Sequence, residues 1–229
     1  MDALGALPVH PLAQALLGEV VAVNDPQGLN RVQVRLHSFA GAASQNGDVW
    51  ARVATPFAGN NRGAFMLPDV GDEVLITFAN GDSRFPIVIG SFWNGRDAAP
   101  ETLGGSGDAI DRWTIVGKAG TRIAIEEPAS GQPTIKLTTP GSISVELTDT
   151  GGGKLECKTQ TTTITVDPSG TKIQSSGTVS IEAPQVKVTA GMVTVDAAMS
   201  KFSGVVKCDM LITNAVVSAS YTPGAGNIW

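Results

Sequence analysis

The sequence predicts an all-β protein in which a small N-terminal barrel is followed by an intertwined trimeric β-helix. Three observations predict it. Short segments alternate apolar and polar residues along most of the 229-residue chain, which is strand spacing. A seven-residue repeat occupies residues 178–202. Only 5% of the residues are aromatic, while 27 are glycine, a composition that favours thin β architecture over a thick core.

The repeat reads TVSIEAP, QVKVTAG, MVTVDAA and MSKF, and each block resembles one side of a β-helical coil. Coils of single-chain solenoids typically need about 20 residues, whereas seven extended residues reach ~23 Å at most. Three chains that each give one side of a triangular coil would bury the apolar residues. The predicted trimer core is therefore Val179, Ile181, Val186, Val188, Val193, Val195 and Phe202.

Composition divides the chain near residue 113. Every lysine lies at or after Lys118, and nearly every aromatic residue lies at or before Trp113. Between them, PETLGGSGDAID is typical of a linker. The predicted parts are a leader or docking peptide at 1–17, the barrel at 18–97, a linker at 98–111, the β-helix at 112–218 and an apolar tip at 219–229.

The barrel segment contains five or six predicted strands, with turn signals at Asp25-Pro26-Gln27-Gly28 and Asn80-Gly81-Asp82. So many short strands in about 80 residues predict a closed barrel, which leaves no free edge. The strands are predicted at 18–24, 31–37, 49–56, 63–68, 72–78 and 86–92. Trp50, Phe78, Phe92 and Trp93 are predicted to fill the barrel.

Residues 52–100 carry a resemblance to a known family. Its shared elements are Trp50-Ala51-Arg52-Val53, Gly63, Leu67-Pro68, Val70-Gly71-Asp72-Glu73-Val74, Phe78, Gly81-Asp82, Pro86, Gly90-Ser91 and Trp93-Asn94-Gly95. In this order they resemble the OB-fold domain of phage baseplate assembly protein V and of the related spike proteins of contractile injection systems, including type VI secretion spikes. The resemblance implies an OB-fold barrel that continues into a trimeric β-helical needle.

The sequence contains no recognisable motif of catalytic residues. The two histidines are His10 and His37, and GxSxG, HExxH and P-loop motifs are absent. Some spikes of the family end in a His-x-His iron motif, but no histidine follows His37. Cys157 and Cys208 lie far apart without a CxxC pattern, which favours buried thiols. We therefore expect no enzyme activity, no cofactor and no metal.

The chain has a net charge of −5 and a pI near 5.0, which argues against binding nucleic acid through bulk electrostatics. An OB-fold protein that binds oligonucleotides or oligosaccharides remains the alternative function. We find no secretion signal and no apolar run of 18 residues, so we expect synthesis in the cytoplasm.

The function that the resemblance implies is the central spike of a phage tail, a tailocin or an extracellular injection system, among which the sequence does not choose. The expected partners are two further copies of the chain and a trimeric hub protein of the baseplate. The target membrane would be met only by mechanical penetration. A PAAR-like tip protein is expected at the apolar end, unless the tail seals the tip itself; its predicted contacts are Tyr221, Pro223, Asn227, Ile228 and Trp229.

Overall fold

The computed structural model describes residues 14–39, 48–104 and 109–220. The chain divides into two units, Met1–Thr178 and Val179–Trp229. The first unit contains every strand of the described residues, and these form a barrel, a small hairpin and an open sheet. In the part of the chain that the structure describes, no helix has the length and apolarity required to span a bilayer.

Five strands close the barrel in the order β1-β2-β3-β7-β6, and every pair is antiparallel except β3 with β7. The predicted closed barrel is confirmed. The strands up to residue 92 are β1 (Leu16–Ala22), β2 (Val32–Leu36), β3 (Asp48–Val53), β4 (Ala58–Gly59), β5 (Arg62–Gly63), β6 (Glu73–Phe78) and β7 (Pro86–Phe92).

The predicted strand at 63–68 is wrong, because only Gly63 of that segment lies in a strand. Gly63 belongs to the two-residue hairpin of β4 and β5, and the chain after it runs as a loop. A Cβ atom on Gly63 would lie 2.9 Å from the carbonyl oxygen of Phe57, so only glycine allows this close approach. Pro68 then ends the segment without an N–H to give to a ladder.

Alternate residues of the barrel strands fill its interior, as the period-two pattern requires. Phe78 lies in this core as predicted, and Trp50 is half-buried, but Phe92 and Trp93 are 45% and 70% exposed, which contradicts the prediction. The register of β6 against β7 shifts between Leu75 and Ile76, so the inward alternation of β7 ends at Val88. The core consists of Val20, Val32, Val34, Leu36, Ala51, Val74, Ile76, Phe78 and Val88.

Seven further strands form one antiparallel sheet in which each strand pairs with the next in sequence. Residues 112–175, predicted as coils shared among chains, thus pair within their own chain. Their connections are mostly short and contain Gly120, Ser142 and Gly151 with positive φ, which favours local hairpins. The strands are β8 (Arg112–Val116), β9 (Arg122–Glu126), β10 (Thr134–Thr138), β11 (Ser144–Thr148), β12 (Lys154–Lys158), β13 (Thr162–Asp167) and β14 (Gly170–Ser175).

Residues 176–220 contain the seven-residue repeat and carry no assigned strand, and every side chain there is exposed. Val179 is 55% and Val188 68% exposed. In an isolated chain these apolar residues therefore have nothing to pack against. The predicted β-helix over the repeat stays a prediction.

Candidate functional site

One face of the seven-stranded sheet is apolar along its whole length. Residues that pair directly across neighbouring strands point to the same side, and here Ile135 pairs with both Ile125 and Leu147. The register continues this pattern into two parallel rows. One row is Trp113, Ile125, Ile135, Leu147, Leu155 and Val166; the other is Ile115, Ile123, Leu137, Val145, Cys157, Ile164 and Ile173.

This apolar face is open to water in a single chain. Trp113 and Ile173, at the two edge strands, are each 54% exposed, and Ile135 near the middle is 44% exposed. Monomeric proteins rarely expose a contiguous apolar surface of this kind, which marks an interaction site. The arrangement can bury apolar side chains against a partner, and its one thiol is that of the half-buried Cys157.

The opposite face of the sheet is polar and is neutralised within itself. Lys136 lies 3.5 Å from Glu146, and Glu156 lies between Lys158 at 2.6 Å and Lys154 at 3.5 Å. The hydrogen bond from Lys158, with the charge of Lys154, lowers the pKa of Glu156. This face is suited to water, so the two faces of the sheet have opposite roles.

Ion pairs fix the predicted linker against the start of the sheet. Arg122 Nε donates to Glu101 Oε1 at 2.5 Å, and Arg122 Nη2 to Glu126 Oε1 at 2.7 Å. Arg112 Nη1 lies 3.5 Å from Glu101, and its Nε donates to Asp111. Chiefly through Arg122, this cluster lowers the pKa of Glu101. The linker is therefore held to the sheet at Glu101 by the two arginines, and at Asp111 by its carbonyl oxygen, which accepts the backbone N–H of Glu127 at 2.7 Å.

A further ion pair joins the barrel to the loop that connects β8 and β9 of the sheet. Lys118, between β8 and β9, donates to Asp69 in the loop before β6. The hydrogen bond lowers the pKa of Asp69 and raises that of Lys118. Both groups are exposed, so this pair contributes little energy to the contact between barrel and sheet.

The predicted trimer core at Val179–Phe202 lies in the second unit and is exposed throughout, and the structure brings none of these residues together in a packed cluster. The predicted tip contacts, Tyr221, Pro223, Asn227, Ile228 and Trp229, lie outside the described residues. Sequence reasoning missed the apolar sheet face as a unit. Its signal was the alternation in the short segments of 112–175, but only the pairing register shows that the residues form two rows.

Other candidate groups of the sequence are separate from that face, except for one thiol. His37 Nε2 lies 3.8 Å from Glu73 Oε1 at the surface of the barrel. Across the described ranges, no three His, Cys, Asp or Glu side chains are grouped closely enough to hold a metal ion. Cys157 lies within an apolar row, half-buried, while Cys208 in the second unit is exposed rather than buried as expected. The Cys208 thiol is in water because residues 176–220 pack against nothing in an isolated chain.

Comparison with known proteins places the barrel in a functional family. Residues 16–93 match the family described as the type VI secretion system/phage-baseplate injector OB domain. The chain is similar to the type VI secretion system spike protein VgrG1b of Pseudomonas aeruginosa, with 30% identity over 105 residues, 42% of this chain and 14% of the relative.

Two further relatives match over similar or shorter stretches. Spike protein VgrG4b of Pseudomonas aeruginosa is 32% identical over 102 residues, 41% of this chain and 13% of that protein. The actin cross-linking toxin VgrG1 of Vibrio cholerae is 33% identical over 60 residues, 26% of this chain and 6% of the toxin.

These matches cover a small part of the relatives, since the chain aligns with 14% of the length of VgrG1b. The family match over residues 16–93 includes most of the segment whose motifs carried the resemblance, so that resemblance is confirmed. Over residues 16–93 the chain therefore carries the OB domain of the type VI secretion and phage-baseplate injector family.

Proposed function

We propose that this chain is the structural central spike of a contractile phage tail or injection-system baseplate, and that it acts as a homotrimer. The observation that carries the proposal is the apolar face of the sheet, which stays about half exposed in a single chain. Three copies around one axis would turn the three apolar faces inward and leave the ion-paired faces in water.

Strand length supports three copies on geometric grounds. A five-residue strand spans ~17 Å, and a triangle of that side has its axis ~5 Å from each sheet. This is half of the ~10 Å at which two sheets pack face to face, so side chains from three sheets would meet at the axis. Four sheets would lie more than ~8 Å from the axis and would leave a channel that these side chains do not fill.

The apolar residues of the seven-residue repeat, further along the chain, could be buried between three copies in the same way. The three complete blocks of 178–198 each carry two branched apolar residues, as most strands of the sheet do, but no described strand of their own chain pairs with them. We propose that they wind around two other copies as a β-helix, with Val179, Val186 and Val193 at the core. Interwoven ladders resist mechanical load, because one chain cannot leave without breaking pairs with two others.

The proposed role is mechanical and not enzymatic. The barrels would dock the spike to a trimeric hub, and the needle would enter the target envelope when the sheath contracts. Tyr221–Trp229 would hold a PAAR-like tip protein or close the tip themselves. The protein would act as a component of the assembled particle and meet the target membrane only by penetration.

The mass and shape of the full-length protein test the proposal. Light scattering after size exclusion should give three times the chain mass of 23.6 kDa, and electron microscopy should show a rod leaving a collar of three barrels. Val188→Asp should prevent assembly of the needle, because three unpaired charges would be buried in one layer. A monomer or dimer would contradict the spike, and a monomer that binds single-stranded DNA or an oligosaccharide would establish the alternative OB-fold function.

A further inference from the structure

Within the described ranges, two arginines of the barrel lack the carboxylate partner that every other arginine has. Six of the eight arginines lie within ion-pair distance of an Asp or Glu, whereas Arg52 and Arg62 have none among the described residues. Both are exposed, and both line the same groove on the barrel. No acidic residue lines this groove, although the chain carries a net charge of −5.

The groove is an apolar cleft of about 570 Å³ between the turn before β2 and the arm formed by residues 57–67. Leu29 is 63% exposed on one wall, while Phe65 and Met66 are 74% and 60% exposed on the other. Arginine, aromatic residues and methionine are the residue types enriched in protein–protein interfaces. The cleft thus combines uncompensated positive charge with exposed apolar surface.

Hydrogen bonds hold the arm in place before any ligand arrives. Thr55 Oγ1 donates to the carbonyl oxygen of Ala64 at 2.5 Å, and the backbone N–H of Ala64 donates to Phe57 at 3.1 Å. The close approach at Gly63 fixes the hairpin below them. A preformed surface loses less conformational entropy on binding than a loose loop does.

The opposite wall is ordered by Asp25. Its carboxylate accepts the backbone N–H groups of Gln27 and Leu29, each at 3.0 Å, and pairs with Arg31 at 2.7 Å. The Arg31 guanidinium holds the pKa of Asp25 far below its usual range, so this turn stays charged and ordered across the physiological pH range. Leu29 is therefore presented from a fixed turn.

We infer that this groove binds an acidic, apolar segment of a partner polypeptide. Carboxylates of that segment pair with the guanidinium groups of Arg52 and Arg62, and its apolar side chains pack against Phe65 and Met66. Two arginines neutralise too few phosphates to bind a nucleic-acid backbone strongly. A peptide is therefore the favoured ligand of the groove. The inference rests on the proposed docking role of the barrel and gives the chemistry of that docking.

The test uses the full chain and a fluorescein-labelled synthetic peptide in which Asp or Glu alternates with Leu. Fluorescence anisotropy should show saturable binding that weakens with added salt. The double variant Arg52→Gln/Arg62→Gln should lose at least about tenfold in affinity, since charged contacts at an interface are typically worth that or more. Met66→Ser should also weaken binding.

The matched control is Arg84→Gln/Arg96→Gln, which removes the same charge from the barrel at arginines that already have carboxylate partners. Its affinity for the peptide should equal that of the unchanged protein. Equal binding by the Arg52/Arg62 double variant would overturn the inference, as would equal binding of a Lys/Leu peptide. Competition by a single-stranded oligonucleotide that depends on Arg52 and Arg62 would reassign the groove to nucleic acid.

Mass measurements on the same samples separate this inference from the proposed spike. An intact trimer that fails to bind the peptide overturns the groove assignment alone. A monomer that binds it overturns the trimeric spike and leaves the groove standing. If the Arg52/Arg62 variant changes the mass instead of the affinity, the groove is a contact between copies and the inference is wrong.

Discussion

The barrel and the seven-stranded sheet share the same alternation of apolar and polar residues, yet they bury their apolar side chains to different extents. Val20, Val74 and Ile76 of the barrel are 0% exposed, whereas Ile135 and Ile173 of the sheet are 44% and 54% exposed. The difference is closure. A closed barrel has an inside, so its apolar residues pack on each other, whereas an open sheet has two outer faces and can cover neither alone.

Whether a sheet closes on itself therefore decides whether the stability of that region depends on assembly with other copies. The barrel completes its core with its own strands, and its stability should not depend on protein concentration. In the proposed trimer the sheet completes its core only against other copies, so its stability should rise with concentration, as mass action requires. Separate measurement of the two regions tests this contrast.

The largest effect is expected from a charge on the apolar face. Leu137 lies between Ile123 and Val145 in one apolar row, and Leu137→Asp would place three carboxylates at the axis of a trimer. Breaking a core with unpaired buried charge costs about 3–5 kcal/mol or more, so light scattering should show loss of the trimer.

The control for this variant is its neighbour in sequence. Thr138→Asp points to the opposite face, where Thr138 pairs with Arg122 and Ser144, and the mass should stay that of the trimer. Dissociation by both variants, or by neither, would show that the two faces do not differ.

A smaller loss is expected from a cavity in the barrel. Ile76 is fully buried, and Ile76→Ala should destabilise the barrel by about 2–5 kcal/mol because the lost methyl groups leave a void. Hydrogen exchange should speed up in peptides of β6 and β7 but not in those of β10 to β12, and the particle mass should not change. Thr77→Ala, on the outer side, should cost less than about 0.5 kcal/mol. Equal acceleration in the sheet would mean that the two regions unfold as one.

Sequence patterns predicted the barrel better than the sheet, and the reason is physical. Alternation in 72–78 and 86–92 with a turn at Asn80 specifies a hairpin, and Phe78 lies inside as the pattern indicates. Alternation gives the face of a residue but not the partner strand. The in-chain meander of 112–175 therefore depends on turn geometry, such as the positive φ of Gly120.

The candidate surfaces were less predictable than the strands. A register shift between Leu75 and Ile76 sends Phe92 out of the core, and shifts of this kind carry no clear sequence signal. Arg52 and Arg62 lie ten residues apart in sequence and share a groove only because the β4–β5 hairpin turns the chain back. Surfaces made by turns and register follow from three-dimensional structure rather than from periodicity.

A third, more local change tests how tightly the barrel is closed. A Cβ atom on Gly18 would lie 2.6 Å from the carbonyl oxygen of Arg35 and 2.8 Å from Ile76 Cδ1. Gly18→Ala should therefore force β1 away from β2 and cost about 1–3 kcal/mol, seen as a lower thermal midpoint of the barrel. Gly90→Ala is the control, since nothing lies within 4 Å of its added Cβ, and it should be neutral or slightly stabilising. Equal effects would show that β1 and β2 approach less closely than described.

The smallest expected effect concerns the ion pairs that dock the linker on the sheet. Because Arg122 and Arg112 hold the pKa of Glu101 below its usual 4.5, the ionised carboxylate stabilises the folded state at neutral pH. This contribution is fully present above pH 4.5 and is lost as the pH falls through the lowered pKa.

Glu101→Gln should lower the unfolding midpoint at pH 7, and the difference from the unchanged protein should shrink as the pH falls below 4.5. Glu127→Gln, which removes a carboxylate outside the observed ion pairs, is the control and should leave the unfolding midpoint at pH 7 nearly unchanged. A Glu101→Gln deficit that persists in acid would mean that packing of the linker, and not charge, joins it to the sheet.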